Sequence, residues 1–524
     1  MNDSVSLPLP ATGNGHHTRR KRPSLWVVAP VLFLVALSLL PLLYVALKTW
    51  QAGGEQALRL LWRPYVLRLL GNTLMLMVGV TLASMLIGLS LAWLLERSNL
   101  AGRRLWGVIL CLPFAVPAFV SSFTWVSLSA SFEGLGGAIL VMTLSKYPLV
   151  FLPVAATLRN LDISLEESAR TLGRNRWGVF FSITLPLLWP SILGGALLIA
   201  LHMLVEFGAL SILGLQTFTT AIYQQFELEF SNANAAMLSA LLLFLCLLLL
   251  WLELRVRGTA RHIRIGQGVA RRAPTVRLGW LALPGQVYCL GLAILGSGIP
   301  LVMLGYWLVK GSSAAFPVAA ISKALLTSLG LALGGAALCL ALALPVGLLV
   351  VRHRGRLALW AERLPYLLHA LPGLVIALTL VFFSLHYVPV LYQTTGLLLL
   401  AYALLFLPLA QAPVRTALNK AAPQLEEAAR TLGATPFLAF CRVTLPIIFP
   451  AMAAAFALVF LDAMKELTAT LVLAPTGLTT LATEVWAHTS NIEFAAAAPY
   501  AALLIVVSGL PVYLLTTRMY LNKA

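Results

Sequence analysis

The chain has 524 residues, of which 60% are hydrophobic and 10% are charged, and its mean hydropathy is +0.91. Soluble domains carry about 25% charged residues, so this composition excludes a water-soluble globule and indicates a polytopic membrane protein. The formal net charge of +18 would suit nucleic acid, but we expect no nucleic-acid partner because the basic residues are concentrated in alternate loops, as in a membrane protein.

Residues 1–23 form a polar segment that contains His16, His17 and a run of four basic residues. The segment has too few apolar residues for a cleaved secretory signal. Its two histidines have no further metal ligands nearby in the sequence, so we do not assign a metal site to them. We expect a disordered cytoplasmic tail here.

Twelve apolar stretches follow, each long enough to provide the roughly 20 residues that cross a hydrocarbon core. They form a first half at 24–254 and a second half at 278–524, joined by a cytoplasmic basic linker at 255–277. The sequence therefore predicts an all-α polytopic transmembrane protein of about 12 transmembrane helices in two repeated six-helix halves. The predicted spans are 26–47, 68–95, 105–130, 135–158, 185–213, 235–254, 278–309, 323–351, 365–385, 391–414, 447–473 and 495–517.

The distribution of charge between loops predicts the orientation of the chain. Seven arginines lie in the linker at 255–277, whereas the loops at 214–234 and 474–494 contain no Lys or Arg. Because basic loops stay in the cytoplasm, we expect both termini to be cytoplasmic. One loop on the predicted outer side departs from this pattern, since it carries Lys48, Arg59, Arg63 and Arg68.

One polar sequence occurs twice between the apolar stretches. It reads Leu-Glu-Glu-Ser-Ala-Arg-Thr-Leu-Gly at 165–173 and Leu-Glu-Glu-Ala-Ala-Arg-Thr-Leu-Gly at 425–433. A Leu-Pro pair follows each copy at the same distance, so the whole block repeats at a constant offset of 260 residues. A polar helix-turn-helix has therefore been duplicated together with the membrane spans around it.

Each copy is typical of a short helix that begins with carboxylates and ends at a glycine. Acidic side chains in the first turn suit the helix dipole, and Gly173 and Gly433 permit the left-handed conformation that closes a helix. A second short helix, at 175–184 or 436–444, is expected to lead into the membrane. The small residues between the carboxylates and the glycine would let another protein approach the backbone, so the pattern predicts a docking element rather than a catalytic site.

The repeated block resembles the EAA motif of ABC importer permeases, which reads Glu-Ala-Ala, three residues, Gly, nine residues, Ile, one residue, Leu-Pro. The departures are Ser168 in place of Ala in the first copy and Val443 in place of Ile in the second. In that family the motif forms the coupling helix, which sits in a cleft of the ATP-binding subunit. The resemblance implies contacts with two copies of an ABC ATPase subunit at the Glu, second Ala and Gly positions, namely Glu167, Ala169, Gly173, Glu427, Ala429 and Gly433.

The resemblance extends over essentially residues 70–515 and narrows the family. The segments at 112–125, 147–155, 217–223 and 464–471 look like those of the fused iron(III) ABC importer permeases. This implies a type I ABC importer permease fold, ferric iron as substrate, a periplasmic binding protein as partner, and a place in the bacterial inner membrane. Fused thiamine and phosphonate permeases share the layout, so those substrates remain alternatives.

No Gly-x-x-x-x-Gly-Lys-Ser/Thr, His-Glu-x-x-His or paired-Cys signature occurs in the chain. We therefore expect the chain to be no enzyme and to bind no cofactor, with ATP hydrolysed by the partner subunits. A secondary transporter also has duplicated halves, but it would need neither the repeated motif nor an ATPase. A membrane-embedded enzyme would need a convergent acid, base or nucleophile, and the sequence offers none.

Ionisable residues lie within the spans that follow each motif: His202, Glu206, Asp462, Lys465 and Glu466. The offset of 260 maps Glu206 onto Glu466, so the polar positions were duplicated too. A charge at the bilayer centre costs roughly 2.5–3.5 kcal/mol on insertion scales, and such residues face a cavity or a partner. Carboxylates suit a hard cation, which predicts a translocation pathway. The alternative is an interhelical brace in which Lys465 neutralises a carboxylate.

Overall fold

The computed structural model describes most of residues 24–520. The predicted tail at 1–23 and residues 258–274 of the predicted linker lie outside the described residues. Within the described residues the regular structure is helical, and the β pairing consists of one isolated bridge between Ser98 and Val276. The other positions left out are 54, 56–58, 60–61, 162–163, 228–231, 311–315, 354, 370 and 521–524.

The labelled helices of the first half range from 5 residues in α9 to 34 residues in α2. A single turn at Arg176–Val179 and a π-helical turn at Phe180–Thr184 lead directly into α8. The bounds are α1 (Leu25–Ala52), α2 (Pro64–Arg97), α3 (Arg103–Ile109), α4 (Ala118–Leu128), α5 (Leu135–Lys146), α6 (Pro148–Asn160), α7 (Ser164–Thr171), α8 (Leu185–Val205), α9 (Gly208–Ile212), α10 (Phe218–Glu227) and α11 (Asn232–Arg257).

The second half repeats this order. A turn at Pro436–Ala439 and a π-helical turn at Phe440–Thr444 again precede the helix that follows the motif. The bounds are α12 (Ala282–Ala293), α13 (Ile299–Lys310), α14 (Val318–Arg352), α15 (Arg356–His369), α16 (Gly373–Tyr387), α17 (Thr395–Lys420), α18 (Pro423–Thr431), α19 (Leu445–Met464), α20 (Thr468–Leu473), α21 (Leu481–Ser490) and α22 (Phe494–Tyr520).

Nine helices of the described chain are long and apolar enough to cross a membrane. The bent pairs α3–α4 and α15–α16 raise this number to eleven if each pair counts as one span. The apolar part of α22, Phe494–Gly509, coincides with the remaining predicted span. These elements overlap the twelve predicted spans in order, which confirms the all-α transmembrane fold in two halves.

The predicted spans at 105–130 and 365–385 are broken rather than straight, which corrects the sequence expectation. The chain bends by 88° between α3 and α4 and by 112° between α15 and α16. Pro117 and Pro372 directly precede α4 and α16. Proline disfavours the helical conformation of the residue before it and provides no N–H for a helix hydrogen bond. Helices therefore start at these prolines instead of running through them.

The predicted spans at 185–213 and 447–473 are also too long. α8 ends before Glu206, whose backbone is extended with ψ 130°, and α19 ends before Lys465. The short helices α9 and α20 follow these ends. The stretches around both breaks are apolar on average, which is why hydropathy alone does not locate them.

The two halves are interleaved rather than placed side by side. α1 packs against α14, α15 and α16 of the second half as well as α11 of its own, and α13 packs against α4 of the first half. Trp26 lies 6.3 Å from Phe440 and Tyr44 lies 5.0 Å from Phe382, measured between ring centroids. The first helix of the chain is therefore part of a core that the second half completes.

Glycines allow close contact between three helices of the first half. A Cβ built on Gly88 of α2 would lie 2.8 Å from Val150 Cβ, and one on Gly195 of α8 would lie 2.6 Å from the Leu149 carbonyl oxygen. Both glycines thus face the same stretch of α6. Small residues at such crossings let membrane helices pack backbone to backbone, which fixes α2 and α8 against each other through α6.

Candidate functional site

The repeated motif forms two short surface helices, α7 and α18, each closed by a left-handed glycine. Gly173 has φ +83° and Gly433 has φ +90°. The N–H of Arg174 bonds to the carbonyl of Ala169 at 3.1 Å, and the equivalent bond from Ala434 to Ala429 is also 3.1 Å. This is the Schellman pattern of helix termination, and it confirms the predicted helix ends.

Each of these helices exposes an apolar side chain next to its glycine. Leu172 is 85% exposed and Leu432 is 89% exposed. The motif carboxylates Glu167 and Glu427 are exposed as well. Exposed apolar side chains rimmed by polar groups are typical of protein contact sites. We call α7 and α18 the docking helices.

The other glutamate of the first motif, Glu166, points inward. The Arg97 guanidinium at the end of α2 donates to Glu166 Oε1 at 2.9 Å, and the Thr184 hydroxyl donates to the same oxygen at 3.0 Å. The side chains of Arg97 and Glu166 are 7% and 10% exposed. Sequence reasoning missed this pair. The signal that would have found it is the Glu-Glu doublet, because adjacent residues of a helix with 3.6 residues per turn point in different directions.

The second half builds the same contact around Glu426. Arg352, the last residue of α14, donates to both carboxylate oxygens at 2.8 and 2.5 Å, and the Thr444 hydroxyl also donates to Glu426. Burial raises the pKa of Glu426, but the hydrogen bonds from Arg352 and Thr444 and the positive charges nearby outweigh it. The pKa of Glu426 therefore lies below the usual value of a glutamate.

The residues after each docking helix differ from the sequence expectation of a separate amphipathic helix at 175–184 or 436–444. They are continuous with the membrane span, so that Trp177–Val205 and Pro436–Met464 each form one helix. The last residue of each π-helical turn is Thr184 or Thr444, the threonine that binds the inward glutamate. π-Helical turns are rare and occur often at functional sites.

Glu206 and Glu466 occupy the breaks after α8 and α19. Each carboxylate accepts the backbone N–H of the third residue onward, from Ala209 at 3.2 Å and from Ala469 at 2.8 Å. Each carbonyl accepts a threonine hydroxyl, from Thr219 at 2.6 Å and from Thr470 at 3.0 Å. Both glutamates are half-buried. They hold the first turns of α9 and α20 in equivalent ways.

The two breaks meet at the contact between the halves. A Cβ built on Gly208 would lie 2.6 Å from Leu467 Cδ2 and 3.4 Å from Phe119 Cβ. One built on Gly373, at the start of α16, would lie 3.5 Å from Glu466 Oε1. The breaks in α3–α4, α8–α9, α15–α16 and α19–α20 therefore surround a common region that contains Glu206 and Glu466. We call this region the central cluster.

The remaining ionisable residues predicted for this region have different partners. Lys465 Nζ donates to the Phe114 carbonyl at 3.5 Å and lies 5.8 Å from the centroid of the Phe114 ring. His202 Nδ1 lies 2.7 Å from the Leu198 carbonyl oxygen, one turn earlier on α8. Asp462 is exposed. Lys465 thus contacts the break between α3 and α4 rather than pairing directly with a carboxylate, among the described residues.

Two further ionisable residues belong to the central cluster and were missed from the sequence. Lys146, at the end of α5, is close enough to interact electrostatically with His202 and Lys465, and His369, at the end of α15, with His202. Both lie inside predicted apolar spans, so the cost of intramembrane charge was the signal that would have found them. No three His, Cys, Asp or Glu side chains in the described chain converge to hold a metal ion.

Two fused halves with a docking helix and a broken polar span in each define a membrane transport permease. The chain belongs to the family of binding-protein-dependent transport system inner membrane components, which matches residues 84–258 and again 340–521. Each match lies in one half. The family places this multi-pass protein in the inner membrane. Hydropathy predicted the membrane spans, and the resemblance implied the inner membrane.

Named relatives of this chain are transport permeases. The Fe(3+)-transport system permease protein FbpB 2 of Haemophilus influenzae is 45% identical over 499 residues, 94% of this chain and 98% of the relative. The molybdenum transport system permease protein ModB of the same species is 34% identical over 37% of this chain and 95% of the relative. The sulfate transport system permease protein CysT of Escherichia coli is 30% identical over 34% of this chain and 70% of the relative.

Proposed function

We propose that this chain is the membrane permease of an ABC importer that carries ferric iron into the cytoplasm. The observation that carries the choice of substrate is the 45% identity to a ferric iron permease over 94% of this chain. A periplasmic binding protein delivers the iron, and two copies of a separate ATPase subunit supply the energy. The chain itself binds no cofactor.

The docking helices support the proposed ATPase partners. α7 and α18 present the same exposed leucine, the same exposed glutamate and the same glycine-closed end. Two equivalent surfaces suit two copies of one partner. Because ATP is cytoplasmic, both docking helices and both chain termini lie on the cytoplasmic side. The loops at 214–234 and 474–494, which contain no Lys or Arg, then face the binding protein.

The central cluster supports a pathway between the halves. Glu206 and Glu466 provide hard oxygen atoms of the kind that a ferric ion prefers, at the point where four helix breaks meet. Each carboxylate already accepts one backbone N–H and keeps further lone pairs for a passing ion. His202, Asp462 and Lys465 flank them. In broken-helix transporters, substrate sites lie at such interruptions near the middle of the bilayer.

A second candidate substrate is an oxyanion, and the observation in its favour is the pair of lysines at the cluster. Lys146 and Lys465 would attract an anion and repel a bare cation, and two relatives are named for molybdenum and sulfate transport. Those relatives match 37% and 34% of this chain, against 94% for the ferric relative. Iron is therefore the better-supported substrate, with thiamine and phosphonates as further alternatives.

The test is uptake by the complete transporter reconstituted in proteoliposomes. We expect accumulation of radioactive ferric iron that requires the ATPase, the binding protein and hydrolysable ATP, with a non-hydrolysable analogue as the matched control. Molybdate, sulfate, thiamine and a phosphonate are offered in parallel. ATP-driven uptake of one of these in place of iron would overturn the substrate, and gradient-driven uptake without the ATPase would overturn the importer.

A further inference from the structure

Two transmembrane helices, α2 and α14, have a polar contact near each end. The contact at one end is made by the last residue, Arg97 or Arg352, and the contact at the other end by Thr73 or Ser328. The two contacts are 24 residues apart in both helices. At a rise of 1.5 Å per residue this is about 36 Å, a little more than the roughly 30 Å thickness of the hydrocarbon core.

The contact at the arginine end joins each transmembrane helix to a docking helix. Arg97 and Arg352 bind Glu166 and Glu426, and the threonine that closes each π-helical turn binds the same carboxylate. We call each Arg–Glu–Thr group a latch. The Arg97–Glu166 pair is buried, and the Arg352–Glu426 pair is partly exposed but bidentate. Breaking such a pair is costly where it is buried, because separation leaves an uncompensated charge. A docking helix that moves therefore takes its arginine with it.

The contact at the far end holds a helix on the opposite side of the membrane. The Thr73 hydroxyl accepts the N–H of Phe218, the first residue of α10, at 3.4 Å, and the Ser328 hydroxyl accepts the N–H of Leu481, the first residue of α21, at 2.8 Å. In the first half, Asn72 also donates to the Gln216 carbonyl at 3.0 Å. These helices lie within the loops at 214–234 and 474–494, which contain no Lys or Arg and which we assign to the binding-protein side.

We propose that α2 and α14 are rigid rods that transmit movement between the docking helices and α10 and α21, and that Glu166 and Glu426 are the positioning residues that fasten the rods. The proposal rests on the proposed function, because it takes the docking helices to contact the ATPase. It adds a connection from each ATPase to the face where the binding protein arrives. A continuous α-helix suits this task because its length is fixed by its hydrogen bonds, and α14 remains one helix through Pro345.

Other ion pairs in the same region provide matched controls. Arg159 of α6 binds Glu96 of α2 at 2.5 Å, and Arg415 of α17 binds Glu362 of α15. These pairs join spans to each other and do not contact a docking helix. The Glu96 side chain is 14% exposed, as is that of Glu426. Loss of the charge at Glu96 and Glu362 therefore removes two ion pairs but leaves both latch carboxylates in place. Glu96 also lies next to Arg97 and interacts with it electrostatically, which makes the control a stringent one.

The experiment measures ATP hydrolysis by the complete permease–ATPase complex, with and without binding protein loaded with ferric iron. In E166Q/E426Q we expect the ATPase to stay bound and basal hydrolysis to persist, while stimulation by the loaded binding protein falls about tenfold, within the range of typical coupling between sites. T73V/S328A, at the far end, should give the same fall. The combined variant should fall no further, because both changes interrupt one connection.

Three results would overturn the proposal. They are normal stimulation in E166Q/E426Q, an equal loss in the control E96Q/E362Q, and additive losses in the combined variant. If E166Q/E426Q fails to assemble, T73V/S328A alone decides, since those changes lie far from the docking helices. A wild-type complex that does not bind the ATPase or respond to ferric iron would instead contradict the proposed function.

Discussion

Replacing the two closing glycines by valine should weaken docking of the ATPase. Nothing lies within 4 Å of a Cβ built on Gly173 or Gly433, so the substitution causes no collision. Its cost comes from φ values of +83° and +90°, which disfavour a side chain by roughly 1–2 kcal/mol per residue, and a β-branched one most. The two sites lie in different halves, so their costs should add to about 2–4 kcal/mol.

Each substituted docking helix either unwinds its last turn or keeps a strained backbone at the substituted position. Unwinding displaces Leu172 and Leu432 from the docking surface. If the whole cost appears in binding, the affinity of each docking helix for its copy of the ATPase falls by about 5-fold to 30-fold, since about 1.4 kcal/mol is a factor of ten. The assay is co-purification of the ATPase with G173V/G433V in detergent, together with ferric uptake and the amount of permease in the membrane.

The matched control is G173N/G433N, because asparagine adopts the left-handed conformation far more readily than valine. The asparagine variant should bind the ATPase nearly as well as the wild type. Equal losses in the two variants would show that the backbone conformation is not the cause. Normal docking and uptake in G173V/G433V would refute the assignment of α7 and α18 as docking helices.

Three further predictions concern orientation, pathway and pH. A reporter that is active only outside the cytoplasm should be active after Gln216 or Thr476 and silent after Gly268; the reverse result would contradict the orientation. E206Q/E466Q should lose ferric uptake while ATP hydrolysis and assembly persist, whereas loss of the folded complex would favour a structural role. Because the pKa of Glu426 is lowered, its latch should be fully formed above the usual glutamate range, about pH 4.3, and weaken only as the pH falls below it. Protease protection of α18 measures this, and weakening near pH 6 would contradict it.

Much of the fold could be predicted because membrane spans have a strong compositional signature. A run of about 20 apolar residues has one favourable environment, so the positions of α1, α2, α14 and α17 follow from hydropathy. The docking helices were also predictable, since their carboxylates, glycine and Leu-Pro pair are local in sequence. Their duplication made chance agreement implausible.

The helix breaks could not be located in this way. Residues 205–213 and 464–473 lie within long apolar stretches, and their ionisable residues are Glu206, Lys465 and Glu466. The side chains that stabilise the breaks act through backbone hydrogen bonds. Glu206 and Glu466 were found as intramembrane charges, but their capping of α9 and α20 depends on geometry. Whether they line a pathway remains a prediction.

The latches were hidden for a related reason. Arg97 and Glu166 are 69 residues apart, and the positively charged loops were explained by topology alone. Arg352 lies 255 positions after Arg97, whereas Glu426 lies 260 after Glu166. A single offset therefore does not align both partners. The two latches are recognised as equivalent only from their contacts in the structure. Pairing across such distances is set by tertiary packing.

The interleaving of the halves affects how the protein is made. α1 is the first span to leave the ribosome, but α14, against which it packs, begins at Val318, well after Ala52 at the end of α1. At 5–20 residues per second, α1 waits roughly 15–50 s before its partner is synthesised. During that interval lipid, the translocation machinery or α11 must cover the face that later joins the core. α1 therefore completes its packing late in synthesis, when α14, α15 and α16 are present. If the two halves were made as separate chains, the same packing would require association of two molecules.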